Sequence, residues 1–253
     1  MSHHIVEVGE LQHQYADGTC AVTSISFRIT HGEAVAIIGA NGAGKSTLLL
    51  HLNGALAATA GTIRIGDTLL TPATVPQIRR TVGMVFQNPD DQLFMSTVAE
   101  DVAFGPLNMG LSGAELEARV VAALTQVDAL YLRHKAPYHL SGGEKKRVAI
   151  ATVLAMSPDI LVMDEPTGGL DPYARRQVME LLSGFQHTRI VASHDLDMVL
   201  ELFPRTIILC QGKVAADGPT TTIFRDRELL ARCRLEQPLA MQGCPVCREG
   251  AKQ

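Results

Sequence analysis

At 253 residues, 46% of them hydrophobic and 19% charged, the chain is long and apolar enough for a well-buried core of one large or two small domains. A net charge of −4 and a pI near 6.1 supply no general basic field for nucleic acid, and five scattered cysteines make no disulfide framework. No stretch nears the ~18 consecutive apolar residues of a membrane-spanning helix, and the start, Met1-Ser2-His3-His4-Ile5, lacks a signal pattern, so a soluble cytosolic chain with reduced thiols is expected.

Ile25, Phe27 and Ile29 alternate with polar residues and predict a half-exposed strand. The continuous apolar run Ala34–Ile38 predicts a buried one. It leads into Gly39-Ala40-Asn41-Gly42-Ala43-Gly44-Lys45-Ser46-Thr47 and then a helix over 46–53, the strand, loop and helix order of a phosphate loop. The glycines let backbone N–H groups approach phosphate oxygens, Lys45 bridges the β and γ phosphates, and the Ser46 hydroxyl suits Mg²⁺.

Another buried strand is predicted over 82–86, and from Asn88 to about Pro158 the pattern turns helical, with helices over 112–127 and 144–156. The second of these follows Leu140-Ser141-Gly142-Gly143-Glu144, a further loop ending at a helix start, where unpaired N–H groups and the helix dipole favour an anion. Two phosphate-grasping elements in one small chain suggest a nucleotide held between two copies.

Ile160–Met163 is read as a strand ending in the carboxylates Asp164 and Glu165, one suited to magnesium and the other to the attacking water; capping of the next turn is the other reading. A helix over 173–185, a strand over 189–192, His194-Asp195 before another helix, and a strand over 206–209 follow. The alternation implies a mostly parallel sheet, with a loosely ordered tail after about Gln237. Cys244-Pro245-Val246-Cys247, with Cys233 nearby and His3-His4 at the start, has spacing for a soft metal, but a structural zinc wants four ligands and reduced thiols are the plainer reading.

The phosphate loop at 39–47, the Leu140–Glu144 pentad, Met163-Asp164-Glu165-Pro166, Gly169-Leu170-Asp171 and His194 together resemble the nucleotide-binding subunits of ABC transporters, over residues from about 4 to 230. The resemblance implies an α/β fold: a P-loop NTPase domain over 1–235 with a mostly parallel sheet and flanking helices, an N-terminal antiparallel β subdomain, a helical subdomain inserted at about 88–158, and a tail over 236–253. It implies ATP hydrolysis with Mg²⁺ in a head-to-tail homodimer, the signature residues Ser141, Gly142, Gly143 and Glu144 meeting the γ-phosphate held by the partner's phosphate loop. Carried over by position, Asp164 resembles the Walker B aspartate, Glu165 the glutamate that polarises water, His194 the switch histidine and Asp171 the aspartate communicating across the dimer. Tyr15 matches the aromatic residue that stacks on adenine, although packing under the first strands also explains it. His194 likewise fits a plain helix start beside the Asp195 cap.

The run Gln87-Asn88-Pro89-Asp90-Asp91-Gln92-Leu93-Phe94 is similar to the ATPases of energy-coupling-factor (ECF) importers for vitamins, cobalt or nickel ions. Gln87 resembles the residue that touches magnesium and links the sheet to the helical insert. In that group a membrane scaffold subunit presses short helices into the ATPases through arginines, and Asp90 and Asp91 are suitable partners; a solvated acidic turn or helix cap is the alternative. The C-terminal region is more similar to the cobalt and nickel importers. The resemblance implies a peripheral subunit on the cytoplasmic face of the cell membrane, bound to the scaffold and to a substrate-binding membrane subunit. A vitamin importer of the same type and a soluble ABC ATPase share the motifs, whereas a phosphate-loop kinase has no need of the pentad.

Overall fold

Alternating apolar and polar residues from Val6 onward build an antiparallel sheet with one face buried, and the continuous apolar runs further on build a second sheet buried on both faces. A computed structural model describes residues 6–243. In chain order, strands β1 (Val6–Gln14), β2 (Cys20–Ile29) and β3 (Ala34–Ile38) precede helix α1 (Lys45–Leu52). Strands β4 (Ala60–Ile65) and β5 (Thr68–Leu69), helix α2 (Val75–Thr81) and strand β6 (Val82–Val85) follow. Helices α3 (Val98–Asn108), α4 (Gly113–Gln126) and α5 (Gly142–Leu154) come next, with short 3₁₀ turns between them. The chain then alternates through β7 (Ile160–Asp164), α6 (Pro172–Gly184), β8 (Thr188–Ala192), α7 (Leu196–Leu202), β9 (Arg205–Cys210) and β10 (Lys213–Pro219). Short helices α8 (Thr220–Arg225), α9 (Arg227–Arg232) and α10 (Leu239–Gln242) end it.

The smaller sheet has the order β2-β1-β4-β5 and is antiparallel throughout. The larger has the order β10-β9-β3-β8-β7-β6, parallel from β9 to β6 with β10 antiparallel at its edge. Period-two alternation splits the large sheet between two cores. Ala34, Ala36, Ile38, Leu161 and Met163 face the one formed with α3 to α7, and Val35, Ile37, Ile160 and Val162 face the one shared with α1 and the small sheet. The strand ends carrying the phosphate loop and the two carboxylates are therefore fixed from both sides.

Between β6 and β7 the described structure is helical. Helix α3 starts in a capping box, where Thr97 Oγ1 accepts from the Glu100 amide and Glu100 accepts from the Thr97 amide. Buried Asp101 accepts the Phe94 and Met95 amides, both at 3.0 Å, and burial pushes its carboxyl above the usual range.

The segment expected to be a loose tail is attached at its start. The Leu239 and Ala240 amides donate to Asp197, and Gln237 donates to the Phe224 carbonyl. Asp197 satisfies the first amides of α10, which is why helix rather than free chain continues to Gln242. Cys244, Cys247 and His3-His4 lie outside the described residues. Cys233 is buried in the core, its thiol pushed up to about 11 by burial and the Cys210 thiol, which opposes the thiolate form a metal requires. Among the described residues no group of three or more potential ligands could hold a metal, and no helix is long and apolar enough to cross a membrane.

Candidate active site

The β3 run ends at Gly39, whose missing Cβ would stand 2.4 Å from the Leu209 carbonyl oxygen. Gly44, at φ 101°, turns the chain into α1 in the left-handed region, and a Cβ there would stand 2.4 Å from the Ala21 oxygen. The loop between them holds Asn41 and Gly42 at the surface and Ala43 in the core. Lys45 folds back over this loop, donating to the Gly39 carbonyl at 2.8 Å and the Ala40 carbonyl at 3.4 Å. These carbonyls hold a cation where an anion cradled by the loop amides would meet it. Tyr15, partly exposed, bonds the Thr47 hydroxyl through Oη at 2.9 Å.

Asp164, the last residue of β7, is buried, and its Oδ1 has no hydrogen-bond partner among the described residues. Burial pushes its carboxyl up, opposed by the Ser46 hydroxyl and by the charges of Lys45 and Lys146. An orphaned carboxylate oxygen beside a serine hydroxyl fits a hard divalent cation with oxygen ligands. Glu165 follows at φ 47° and is 7% exposed. Its Oε2 accepts from the His194 amide at 3.1 Å and the Ser193 hydroxyl at 3.4 Å, and lies 2.6 Å from His194 Nδ1. The two residues expected at the attacking water thus meet, the imidazole itself standing open to solvent.

Gln87 is exposed just past β6, and its carbonyl accepts from buried Lys146 at 2.7 Å. Burial draws the Lys146 ammonium down, while the charges of Asp164 and Glu165 oppose the shift.

Ser141 caps α5, accepting the Glu144 amide, while Glu144 accepts the Ser141 amide at 2.8 Å. That amide holds the Glu144 carboxyl low. Gly142 is exposed and Gly143 half-buried. Asp171 caps α6, accepting the amides of Tyr173 at 2.9 Å and Ala174 at 3.0 Å. The signature residues, Gly169, Leu170 and Asp171 line one open cleft of about 480 Å³. No phosphate-loop residue lines it.

Two connections escaped the sequence reading. Gln92 accepts the Phe86 amide at 3.1 Å and donates to the Ala149 carbonyl and Thr152 hydroxyl, both at 2.7 Å, joining the end of β6 to α5. Asp195 caps α7, as one reading of the sequence had it, but also takes both arms of Arg175 at 2.6 and 2.8 Å and the Thr167 hydroxyl. Burial pushes Asp195 up, but these donors outweigh it and hold the carboxyl low. Gln92 lies within the motif run, whereas nothing local marked Arg175.

The sequence profile of the family described as ABC transporter matches residues 22–168. An ABC transporter ATP-binding protein of Geobacter sulfurreducens, its name still provisional, is 70% identical over 98% of this chain and 99% of that one. The energy-coupling factor transporter ATP-binding protein EcfA of Methanothermobacter thermautotrophicus is 46% identical over 92% of this chain and 77% of its own. Among solved structures, cbiO1 from Clostridium perfringens, part of the ABC transporter complex cbiONQ, superposes with a TM-score of 0.79 at 39% identity, covering 91% of this chain and 94% of that one. The ATP-binding cassette MJ0796, solved as a dimer bound to ADP and Pi, superposes with a TM-score of 0.79 at 29% identity, covering 85% and 98%. With the phosphate loop and the paired carboxylates at the ends of the two strands that flank β8 in a mostly parallel sheet, the chain belongs to the ABC transporter ATP-binding family and hydrolyses ATP.

Proposed function

We propose that the chain energises an ECF-type importer, for cobalt or nickel ions, as a head-to-tail homodimer peripheral to the cytoplasmic face of the cell membrane. The observation that carries the importer reading is the Asn88–Phe94 segment at the junction of the large sheet and the inserted helices. Asp90 and Asp91 are exposed there, and exposed Phe94 packs edge-on against exposed Phe104 at 5.1 Å. An apolar pair beside two acids suits a short scaffold helix bearing arginines. The likeness to EcfA and to cbiO1 supports the same assignment.

Within the chain, Asp90 pairs with Lys145 at 2.6 Å, but the side chains are 60% and 20% exposed. Such a pair contributes about 1 kcal/mol or less, so a bidentate arginine can replace the lysine. The Asp91 carboxylate, for its part, accepts from the Asn88 side-chain amide at 3.3 Å.

In this reading Gly39, Asn41, Gly42, Ala43, Gly44, Lys45, Ser46 and Thr47 cradle the phosphates, and Tyr15 stacks on adenine. Ser46, Gln87 and Asp164, the last through a water, would hold magnesium, which neutralises phosphate charge when bound. Glu165 orients the attacking water and accepts its proton, and His194 stands by the γ-phosphate. Ser141, Gly142, Gly143, Glu144 and Asp171 close the partner's site, which suits a signature cleft that contains no phosphate-loop residue. ATP then stabilises the closed dimer, hydrolysis removes the ligand spanning the interface, and Gln92 carries the movement from β6 into α5.

The test is charge reversal. Asp90→Arg with Asp91→Arg is expected to abolish co-purification with the membrane subunits from detergent and to cut uptake of cobalt and nickel ions by vesicles at least about tenfold. Intact assembly and uptake would refute the scaffold contact.

A further inference from the structure

Behind the phosphate loop lies a histidine pair that the nucleotide chemistry does not use. His51, on α1, is 0% exposed, and His13, on β1, is 8% exposed. His51 Nδ1 lies 2.6 Å from the Thr47 carbonyl oxygen, and its Nε2 lies 3.1 Å from His13 Nδ1. A carbonyl only accepts, so the proton of a neutral His51 is on Nδ1 and its Nε2 is an acceptor. His13 Nδ1 must then be the donor, shared with the Ala57 carbonyl at 3.2 Å. This leaves His13 Nε2 with a bare lone pair, buried and without a partner among the described residues.

The pair continues into the nucleotide site. The His13 ring stands edge-on to Tyr15, with centroids 4.6 Å apart and planes at 85°, and Tyr15 Oη returns to the Thr47 hydroxyl at 2.9 Å. Thr47, His51, His13 and Tyr15 therefore form a closed ring of contacts between the end of β1 and both turns of α1.

We propose that His13 and His51 are positioning residues that, as an uncharged pair, hold Tyr15 in register with the phosphate loop and so set nucleotide affinity. The inference rests on Tyr15 serving the adenine. Facing the imidazoles are Tyr15 just after β1, Thr47 from α1 and the Ala57 carbonyl from the loop after α1, and of these only the Tyr15 phenol is titratable. This set contains no carboxylate to compensate a positive charge. A second proton on His51 Nε2 would face the His13 N–H, and one on His13 Nε2 would be buried without an acceptor. Burial, together with the neighbouring His13, lowers the His51 pKa, in keeping with a neutral His51. The ring is intact at alkaline pH and opens only in acid, below the ordinary histidine range, because burial opposes a second proton on His51.

The test is ATP affinity without magnesium, by calorimetry on the full chain at pH 8.0 and 5.0, for wild type, Tyr15→Ala, His13→Gln and His51→Gln. At pH 8.0 each substitution is expected to weaken binding about fivefold, the size of one aromatic contact, and at pH 5.0 the ratio of wild-type to variant affinity is expected to fall toward one. Ionisation of ATP itself cancels in that ratio. A pH-independent ratio for the histidine variants, or wild-type affinity in both, would overturn the proposal while a weakened Tyr15→Ala kept the adenine reading. Wild-type affinity in Tyr15→Ala would instead overturn the adenine reading and this inference with it. Should His51→Gln fail to fold, the pH dependence of the ratio between wild type and Tyr15→Ala decides, since only an opening ring removes the Tyr15 contribution in acid.

Discussion

Glu165→Gln is expected to lower ATP turnover by about 10²–10⁴-fold, the range for removal of a positioned general base, with ATP affinity preserved. The substitution keeps the size of the side chain and an oxygen for the His194 amide, now accepted by Oε2 at 3.1 Å. What it removes is the carboxylate charge, and with it the site that accepts a proton from water. It also removes the negative charge 2.6 Å from His194 Nδ1. Phosphate release in single-turnover experiments, with affinity measured by calorimetry, checks both parts. Turnover within about threefold of wild type would refute the base assignment.

Lys45→Ala acts one step earlier. The ammonium sits among the Gly39 and Ala40 carbonyls, already oriented where the loop amides gather an anion. Losing a hydrogen bond to a charged group costs about 1.5–3 kcal/mol, so ATP affinity should fall roughly 10- to 100-fold. The turn itself depends on Gly44 at φ 101° and on the burial of Leu48, Leu49 and Leu52, so the variant should still fold. Wild-type affinity in calorimetry would contradict the phosphate-loop reading.

These expectations come from segments whose chemistry is local and therefore legible. An apolar run, a glycine turn and a lysine announce β3, the loop and α1, because burial on both faces and a left-handed turn each demand particular residues. The same holds for β7 and its terminal carboxylates. Strand β1 was reached only through the family resemblance, because Gly9 and Glu10, at φ 52°, break its alternation and its register shifts against β2 three times. Helix α3 was hidden by Gly105-Pro106 within its last turns, and the Thr97–Glu100 capping box and the buried Asp101 hold it in place regardless. The cap supplied by Asp171 and the histidine ring differ in kind. Asp171 is placed by its motif, and its bonds to the next two amides add a structural duty, whereas His13 and His51 are 38 positions apart and nothing in either neighbourhood points to the other.

The signature cleft, apart from the phosphate loop, leads to the central claim that each ATP is held between two copies of the chain. Light scattering on Glu165→Gln, with and without saturating ATP, measures this directly. The expected result is a mass of 27.2 kDa without nucleotide, doubling when ATP is added and returning when Ser141→Arg is introduced into the same chain. A chain that binds ATP fully and keeps its single-copy mass would contradict the account.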